Sequence, residues 1–288
     1  MQQPDRPPMI VEEGVVLGSR PAGTADCTLL SLRSPRVAAR VRPGQFVMAR
    51  LLRRDFPYLG RPLSVADVDP ADPEVLLLVF TAVGAGTRRL AEASPGDAVR
   101  LVGPLGNGFT IAPAAEHVLI AGGIGVAPFP LLARYIARLD PGAQRVCLLG
   151  AATRTGLHLA ARLRALGVVV ETATLDGSEG FRGNVVERLA AHGLHPGSRL
   201  YACGPDAMLA ALARHLGPTS DTCQAALEAH MACGFGACNA CVITVADPGE
   251  SGGHHELACL QGPVFALGRV RWERTPPVCV AARPSGGP

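Results

Sequence analysis

Lysine is missing from this chain of 288 residues; all 27 basic residues are arginine, set against 24 acidic ones, for a formal net charge of +3. Aromatic residues make up only 4% of the chain, and no basic run interleaved with aromatics occurs. Nucleic-acid binding is therefore not expected. No apolar run reaches the roughly 18 residues that a membrane-spanning helix needs, so no membrane association is expected either. The opening residues MQQPDRPP have neither a charged n-region nor an apolar h-region, and no signal peptide is expected. Catalytic constellations are scarce too. No Ser/His/Asp-type triad or carboxylate pair stands out, and His158, His195 and His215 are scattered as surface or structural residues are.

Apolar residues, at 48% of the chain, supply a sizeable core, and the length suits two domains with a small third one. Nine cysteines in a chain without an export signal point to a reducing compartment, the cytoplasm. Cys27, Cys147, Cys223 and Cys279 share no spacing and read as small apolar residues.

Four other cysteines do share a spacing. Cys233, Cys238 and Cys241 form C-x4-C-x2-C, and Cys259 follows after seventeen residues. That is the plant-type ferredoxin arrangement for a [2Fe–2S] cluster, with three thiolates from one loop and the fourth from a neighbouring strand. Gly234, Gly236 and Ala237 let the backbone fold around such a cluster and aim N–H groups at its sulfurs. A four-cysteine zinc site is the competing reading, but zinc favours two separated C-x2–4-C knuckles, not a triplet and a distant singleton. His254 and His255, between the third and fourth cysteines, read as a solvated loop.

The first third of the chain reads as short strands punctuated by Pro and Gly, at 14–17, 27–31, 46–51 and 75–80, which suggests a small antiparallel barrel. Two stretches on it carry chemistry. In Arg61-Pro62-Leu63-Ser64, an arginine, a φ-locked proline and a hydroxyl on a strand can hold a phosphate and a ring edge. In Gly84-Ala85-Gly86-Thr87, a glycine turn opens a short helix whose free N–H groups suit a pyrophosphate. Either stretch alone is compatible with an ordinary turn; in succession on one barrel they point to a flavin nucleotide.

The middle third alternates apolar strands with helices. The apolar run 118–121 leads into Gly122-Gly123-Ile124-Gly125 and a helix over 129–139. Strands at 145–149, 168–173 and 199–203 then alternate with helices at 157–166, 185–191 and 206–216. This implies a parallel sheet with ligands at the carboxyl ends of its strands, where Gly122-Gly123-Ile124-Gly125 and Cys203-Gly204-Pro205 both fall. Cys203 is either a core residue or a ligand-facing thiol.

Barrel, nucleotide sheet and cluster loop, in that order, resemble the ferredoxin–NADP reductase superfamily with an appended ferredoxin-like module. More narrowly, the chain resembles the electron-transfer subunits of heteromeric, NAD-linked dihydroorotate dehydrogenases. The match rests on Arg61-Pro62-Leu63-Ser64, Gly84-Ala85-Gly86-Thr87, Gly103-Pro104-Leu105-Gly106-Asn107-Gly108-Phe109, Ala121-Gly122-Gly123-Ile124-Gly125, Asp176-Gly177-Ser178, Cys203-Gly204-Pro205, Met231-Ala232-Cys233-Gly234-Phe235-Gly236-Ala237-Cys238 and Gly262-Pro263-Val264-Phe265.

The resemblance implies α/β plus all-β architecture: an antiparallel β-barrel for FAD over 9–109, a doubly wound parallel-sheet NAD domain over 110–220, a [2Fe–2S] ferredoxin-like module over 221–275 and a loose tail over 276–288. It implies that Arg61, Pro62, Leu63 and Ser64 contact FAD, that Val79, Phe80 and Thr81 line it, and that Gly86 and Thr87 meet its pyrophosphate. Gly123, Gly125, Cys203 and Gly204 would face the nicotinamide nucleotide, and Cys233, Cys238, Cys241 and Cys259 would ligate the cluster. The partner would be an FMN-containing dihydroorotate dehydrogenase catalytic subunit in a heterotetramer with two of each chain. Electrons would run from dihydroorotate through that FMN, the cluster and FAD to NAD, in pyrimidine biosynthesis. The same architecture serves NAD(P)H:ferredoxin or sulfide-linked oxidoreductases and oxygenase reductases, and Gly262-Pro263-Val264-Phe265 favours the pyrimidine pathway. NAD against NADP stays open at the residue level, since Arg154 suits either a 2′-phosphate or solvent. The loop holding Gly249, Gly252, Gly253 and the two histidines is longer than the resemblance leads one to expect, at little thermodynamic cost.

Overall fold

A computed structural model describes residues 9–23, 27–52, 57–247 and 253–273. Gly249, Gly252, Cys279 and the expected tail lie outside these residues. Alternation of buried and exposed residues shapes the first element, β1 (Ile10–Pro21), in which Val11, Val15 and Leu17 face out while Ile10, Glu12 and Val16 face in. Glu12 is buried because it serves a turn: its carboxylate accepts bonds from the Ser34 hydroxyl (2.6 Å) and the Arg36 and Val37 N–H groups (3.1 and 2.9 Å). Those residues open α1 (Pro35–Ala38), which follows β2 (Cys27–Arg33).

The chain continues with β3 (Phe46–Leu51), β4 (Arg61–Val68), β5 (Val75–Thr81), α2 (Ala85–Ala91) and β6 (Ala98–Leu105). The six strands close a barrel in the order β1-β2-β5-β4-β3-β6, antiparallel throughout. Leu30, Leu32, Val47, Val65, Leu76 and Leu78 fill its interior.

A parallel sheet follows, built from β7 (Glu116–Gly122), α3 (Phe129–Leu139), β8 (Gln144–Ala151), α4 (Ala160–Ala165), β9 (Val169–Thr174), β10 (Phe181–Arg182), α5 (Val185–His192), β11 (Arg199–Cys203), α6 (Asp206–Leu216) and β12 (Cys223–Ala226). α4 is shorter than the expected 157–166. A 3-10 turn at Arg154–Gly156 and Leu159 in the left-handed region (φ 58°) delay its start. α5 begins sharply because Asn184 and Glu187 cap each other: the Asn184 side chain accepts from the Val186 and Glu187 N–H groups, and Glu187 accepts from Asn184 N–H.

The remaining strands are β13 (Val242–Val245), β14 (His254–Leu257) and β15 (Val264–Ala266). The large sheet runs β10-β9-β8-β7-β11-β12-β15, and only β15 is antiparallel to its neighbour. Strand order reverses on either side of β7, which makes a switch point between β7 and β11. The range 221–275, expected as the cluster module, thus contributes β12 and β15 to the nucleotide sheet, and β13 and β14 form a separate hairpin.

The parts share cores. Barrel residues Leu29, Leu77, Val79 and Phe109 pack with Leu119, Phe129 and Tyr201 of the sheet domain. Phe46, Met48 and Leu105 of the barrel pack with Cys241, Cys259 and Phe265. Asp67, fully buried on β4, binds Arg134 of α3 at 2.8 Å and Arg162 of α4 at 2.7 Å. The barrel is fastened to the sheet by charge as well as by apolar contact.

Candidate functional site

The loop 230–241 has no helix or strand; its shape comes from residues that reach positive φ, Gly234 (83°), Gly236 (88°) and Asn239 (55°). Both glycines also lie where a side chain has no room. A Cβ on Gly234 would stand 2.5 Å from Met48 Cγ, and one on Gly236 2.5 Å from Leu260 Cδ1. The hairpin brings in the fourth cysteine. β13 and β14 pair Val242 with Leu257, so Cys241 lies opposite Ala258, whose N–H donates to Cys241 O at 2.8 Å. Cys259 sits in the turn after β14, not on the strand the sequence reading expected, and its N–H points at Cys241 Sγ at 3.4 Å.

The four thiols stand as two pairs. Cys233 and Cys238 interact, as do Cys241 and Cys259, and Cys259 feels the charge of Cys233 across the gap. Burial works against a Cys233 thiolate, but main-chain hydrogen bonds from Phe235, Cys238 and Ala237 and the side chain of Cys238 bring the thiol down to about 7. The Cys259 side chain brings Cys241 down to about 6, against burial and with main-chain help from Cys259 and Ala258. Cys259 is pushed up by the Cys241 sulfur, by burial and by the Cys241 and Cys233 charges, with a main-chain bond from Gly236 opposing. Among the described residues, no three His, Cys, Asp or Glu side chains are grouped as a cage for one metal ion. Four cysteine thiols, standing in two pairs under main-chain N–H donors, are a donor set that fits a [2Fe–2S] cluster. Cys241 and Cys259 are buried, Cys238 is exposed, and Phe235 beside it is 45% exposed.

Gly234 rests on Met48, and Met48 pairs across the strands with Pro62, as Phe46 does with Ser64. The outer face of β3 and β4 therefore runs from the cluster loop to the stretch expected to hold flavin. Pro62 and Ser64 are half-buried on that face. Leu63 and Phe80 instead point into the barrel core, so only their main chain is available to a ligand there. Val79 packs toward the sheet domain, and Thr81 is half-buried at the end of β5.

Arg61 lies at the rim of a small pocket with Arg50, Leu59, Gly86, Arg89 and Leu90. Its Nε is buried without a hydrogen-bond partner, while its Nη2 donates to Leu59 O at 3.1 Å. A Cβ on Gly86 would lie 2.9 Å from Arg61 Cδ, so the glycine admits the arginine stem at the mouth of α2. The Thr87 hydroxyl is engaged with Gly84, accepting its N–H at 3.0 Å and lying 3.1 Å from its O; what Thr87 offers an anion is its main-chain N–H. The unpartnered guanidinium nitrogen and the helix mouth fit a flavin pyrophosphate.

At the switch point, Gly123 (φ 54°) faces open space, whereas Gly125 is a packing residue: a Cβ there would strike Cys203 O at 2.3 Å. Gly204 stands across from it, under Met208 Cε. Cys203 is buried, and burial followed by the Glu228 charge pushes its thiol far up, so it stays protonated at neutral pH. Glu228 reaches solvent, yet the protein crowded around it and then the Asp206 charge push its carboxyl up. Asp176 is held low by the Ser178 hydroxyl and N–H, and Ser178 accepts the Arg154 N–H at 2.8 Å. His254 and His255, expected in a solvated loop, are exposed residues of β14. His254 bridges Asp247 (2.6 Å) and Glu256 (3.1 Å), which raise its pKa.

Met48, Arg50 and Glu228 were not singled out from sequence. Their positions depend on contacts between distant segments, and only Glu228, five residues before Cys233, carries a nearby signal.

Residues 228–271 match the family described as the iron-sulfur cluster binding domain of dihydroorotate dehydrogenase B. The chain is 35% identical over 242 residues to the dihydroorotate dehydrogenase B (NAD(+)) electron transfer subunit of Desulforamulus reducens, covering 83% of this chain and 90% of that one. It is 38% identical to the same subunit of Geobacillus thermodenitrificans over 84% and 91% of the two chains. Among solved structures, a chain of the NADH-dependent reduced ferredoxin–NADP oxidoreductase superposes with a TM-score of 0.74 at 27% identity, covering 91% of each chain.

Proposed function

The chain belongs to the family of electron transfer subunits of dihydroorotate dehydrogenase B (NAD(+)), and from that membership we propose how its residues serve the task. It is an oxidoreductase subunit that passes electrons between the catalytic subunit, where dihydroorotate is oxidised, and NAD. Nicotinamide exchanges a hydride, the cluster single electrons, and a bound flavin supplies the conversion between the two. Cys233, Cys238, Cys241 and Cys259 would hold the cluster, and N–H groups of 235–238 and 258–259 would offset the thiolate charge. Arg61, Gly86 and the α2 mouth would hold the flavin pyrophosphate, and Pro62 and Ser64, which share a face with Met48, would line the flavin. Gly123 leaves backbone open to the nicotinamide nucleotide, Gly204 packs under Met208 at the floor of the same crevice, and the protonated Cys203 thiol lies beside it. NAD, not NADP, is the nucleotide named for the relatives, and we take it as the acceptor here.

The observation that supports this reading most is that the loop carrying Cys233 and Cys238 rests through Gly234 on Met48, on the barrel face that bears Pro62 and Ser64. The exposed Cys238 and Phe235 mark the side open to an FMN-bearing partner, in a heterotetramer of two and two. All eight described cysteines are free, in keeping with a cytoplasmic location. No helix among the described residues is long and apolar enough to cross a membrane. Co-expression with a candidate FMN subunit tests the proposal. Dihydroorotate-dependent NAD⁺ reduction should appear in the wild-type complex and vanish in Cys238→Ala, which should still bind flavin. A wild-type chain without iron, or turnover that survives in Cys238→Ala, would overturn it.

A further inference from the structure

Asn107, at the tip of the loop that leaves β6, makes four hydrogen bonds, all of them to the segment that follows Cys259. Its main-chain N–H donates to Gly262 O at 2.6 Å. Its side-chain amide donates to Gln261 O at 2.7 Å and to Val264 O at 2.8 Å, and its side-chain oxygen accepts the Val264 N–H at 2.9 Å. The preceding Gly106 (φ 71°) lies so close that a Cβ there would stand 2.5 Å from Pro263 Cδ. On the barrel side, Gln45 Nε2 donates to Gly106 O at 2.8 Å. The clasped segment is continuous with the Cys259 turn, in which Leu260 and Gln261 N–H both donate to Leu257 O. Two residues before Asn107, Leu105 touches the Gly234 position from below. One short barrel loop therefore supports both segments that carry the thiols.

We propose that Asn107 is a positioning residue for electron transfer, locking the Cys259 turn to the barrel so that the cluster-to-flavin separation is set by rigid contacts and not by a hinge. This rests on reading the four thiols as cluster ligands and the barrel as the flavin site. Asn107 and Gln261 are exposed while Val264 is buried, so loss of the side chain leaves the Gln261 carbonyl to water and strips the Val264 N–H and carbonyl of a partner. That loosens the clasp without removing the main-chain bond from Asn107 N–H to Gly262 O.

The test compares wild type, Asn107→Ala and Asn107→Asp as purified holoprotein. Iron and flavin content are measured first, then flavin bleaching after mixing with NADH, then the growth of the reduced cluster's EPR signal in freeze-quenched samples. Amide exchange across 257–265 provides a readout independent of turnover. In Asn107→Ala, flavin bleaching should match wild type, the cluster signal should grow several-fold more slowly, and Val264 N–H should exchange about five- to tenfold faster. Asn107→Asp keeps the acceptor for Val264 but turns a carboxylate oxygen toward the Gln261 and Val264 carbonyls, so it should slow cluster reduction and speed exchange at least as much as alanine; it carries the same comparison if the alanine variant fails to load its cofactors. Wild-type cluster reduction and exchange in Asn107→Ala would overturn the proposal, as would an equal slowing of both reduction steps. A wild-type chain that holds no iron would overturn the underlying reading instead, and the exchange data would still report on the clasp.

Discussion

At Gly234 two demands fall on one residue: a φ of 83° and the absence of a side chain above Met48. Alanine there meets both obstacles, a left-handed backbone costing about 1–2 kcal/mol and an overpacked contact costing about 1–3 kcal/mol. Gly234→Ala should therefore lower the iron-to-flavin ratio and the melting temperature of the holoprotein. Adding Met48→Ala removes the contact but not the backbone cost, so iron content should recover in part. Full recovery would show that φ is unimportant; none would show that Met48 is not the obstacle. Cys233, Cys238 and Cys241 stand out in the sequence because their spacing is set by a short loop, whose geometry is local. The approach of Cys259 to Cys241 does not, because the hairpin register that sets Cys241 opposite Ala258 depends on strands separated by residues 246–253.

β4 shows how one strand serves several neighbours. Leu63 and Val65 fill the barrel, Pro62 and Ser64 face outward, and after an irregularity between Val65 and Asp67 the buried carboxylate meets Arg134 and Arg162. That irregularity hid the strand's later half from a reading by alternation. Asp67→Ala would leave two arginines without their shared partner. The expected cost is about 2–4 kcal/mol, moderated because both guanidinium groups reach solvent, and a urea titration of the holoprotein would measure it. A midpoint within error of wild type would mean that apolar contacts alone join barrel and sheet. The parallel strands and α3, α5 and α6 were legible because each buries a continuous run or one helical face. α4 was overdrawn because a left-handed Leu159 leaves no trace in hydropathy. β12 and β15 were missed because they are short strands whose pairing partners lie in other parts of the chain.

Across the whole molecule, the loop over 230–241 depends on bonds from its own N–H groups to sulfur, whereas the strands around it depend on one another. Removing iron should thus raise amide exchange in 230–241 while β12 and β15 stay protected and flavin stays bound. Loss of protection spreading through β12 would show that the cluster holds the sheet together as well. The order of the three parts was legible in the chain, but their sharing of cores and of one sheet was not, since contacts between the barrel loop at 105–108 and residues 234 and 261–264 leave no periodic pattern.

β15 lies along the outer side of β12, which would otherwise present a row of unpaired backbone groups. The redox segment thereby shields the nucleotide-binding half from joining edge to edge with another copy. A fragment ending before that segment would leave the β12 edge open and should self-associate where the full chain does not.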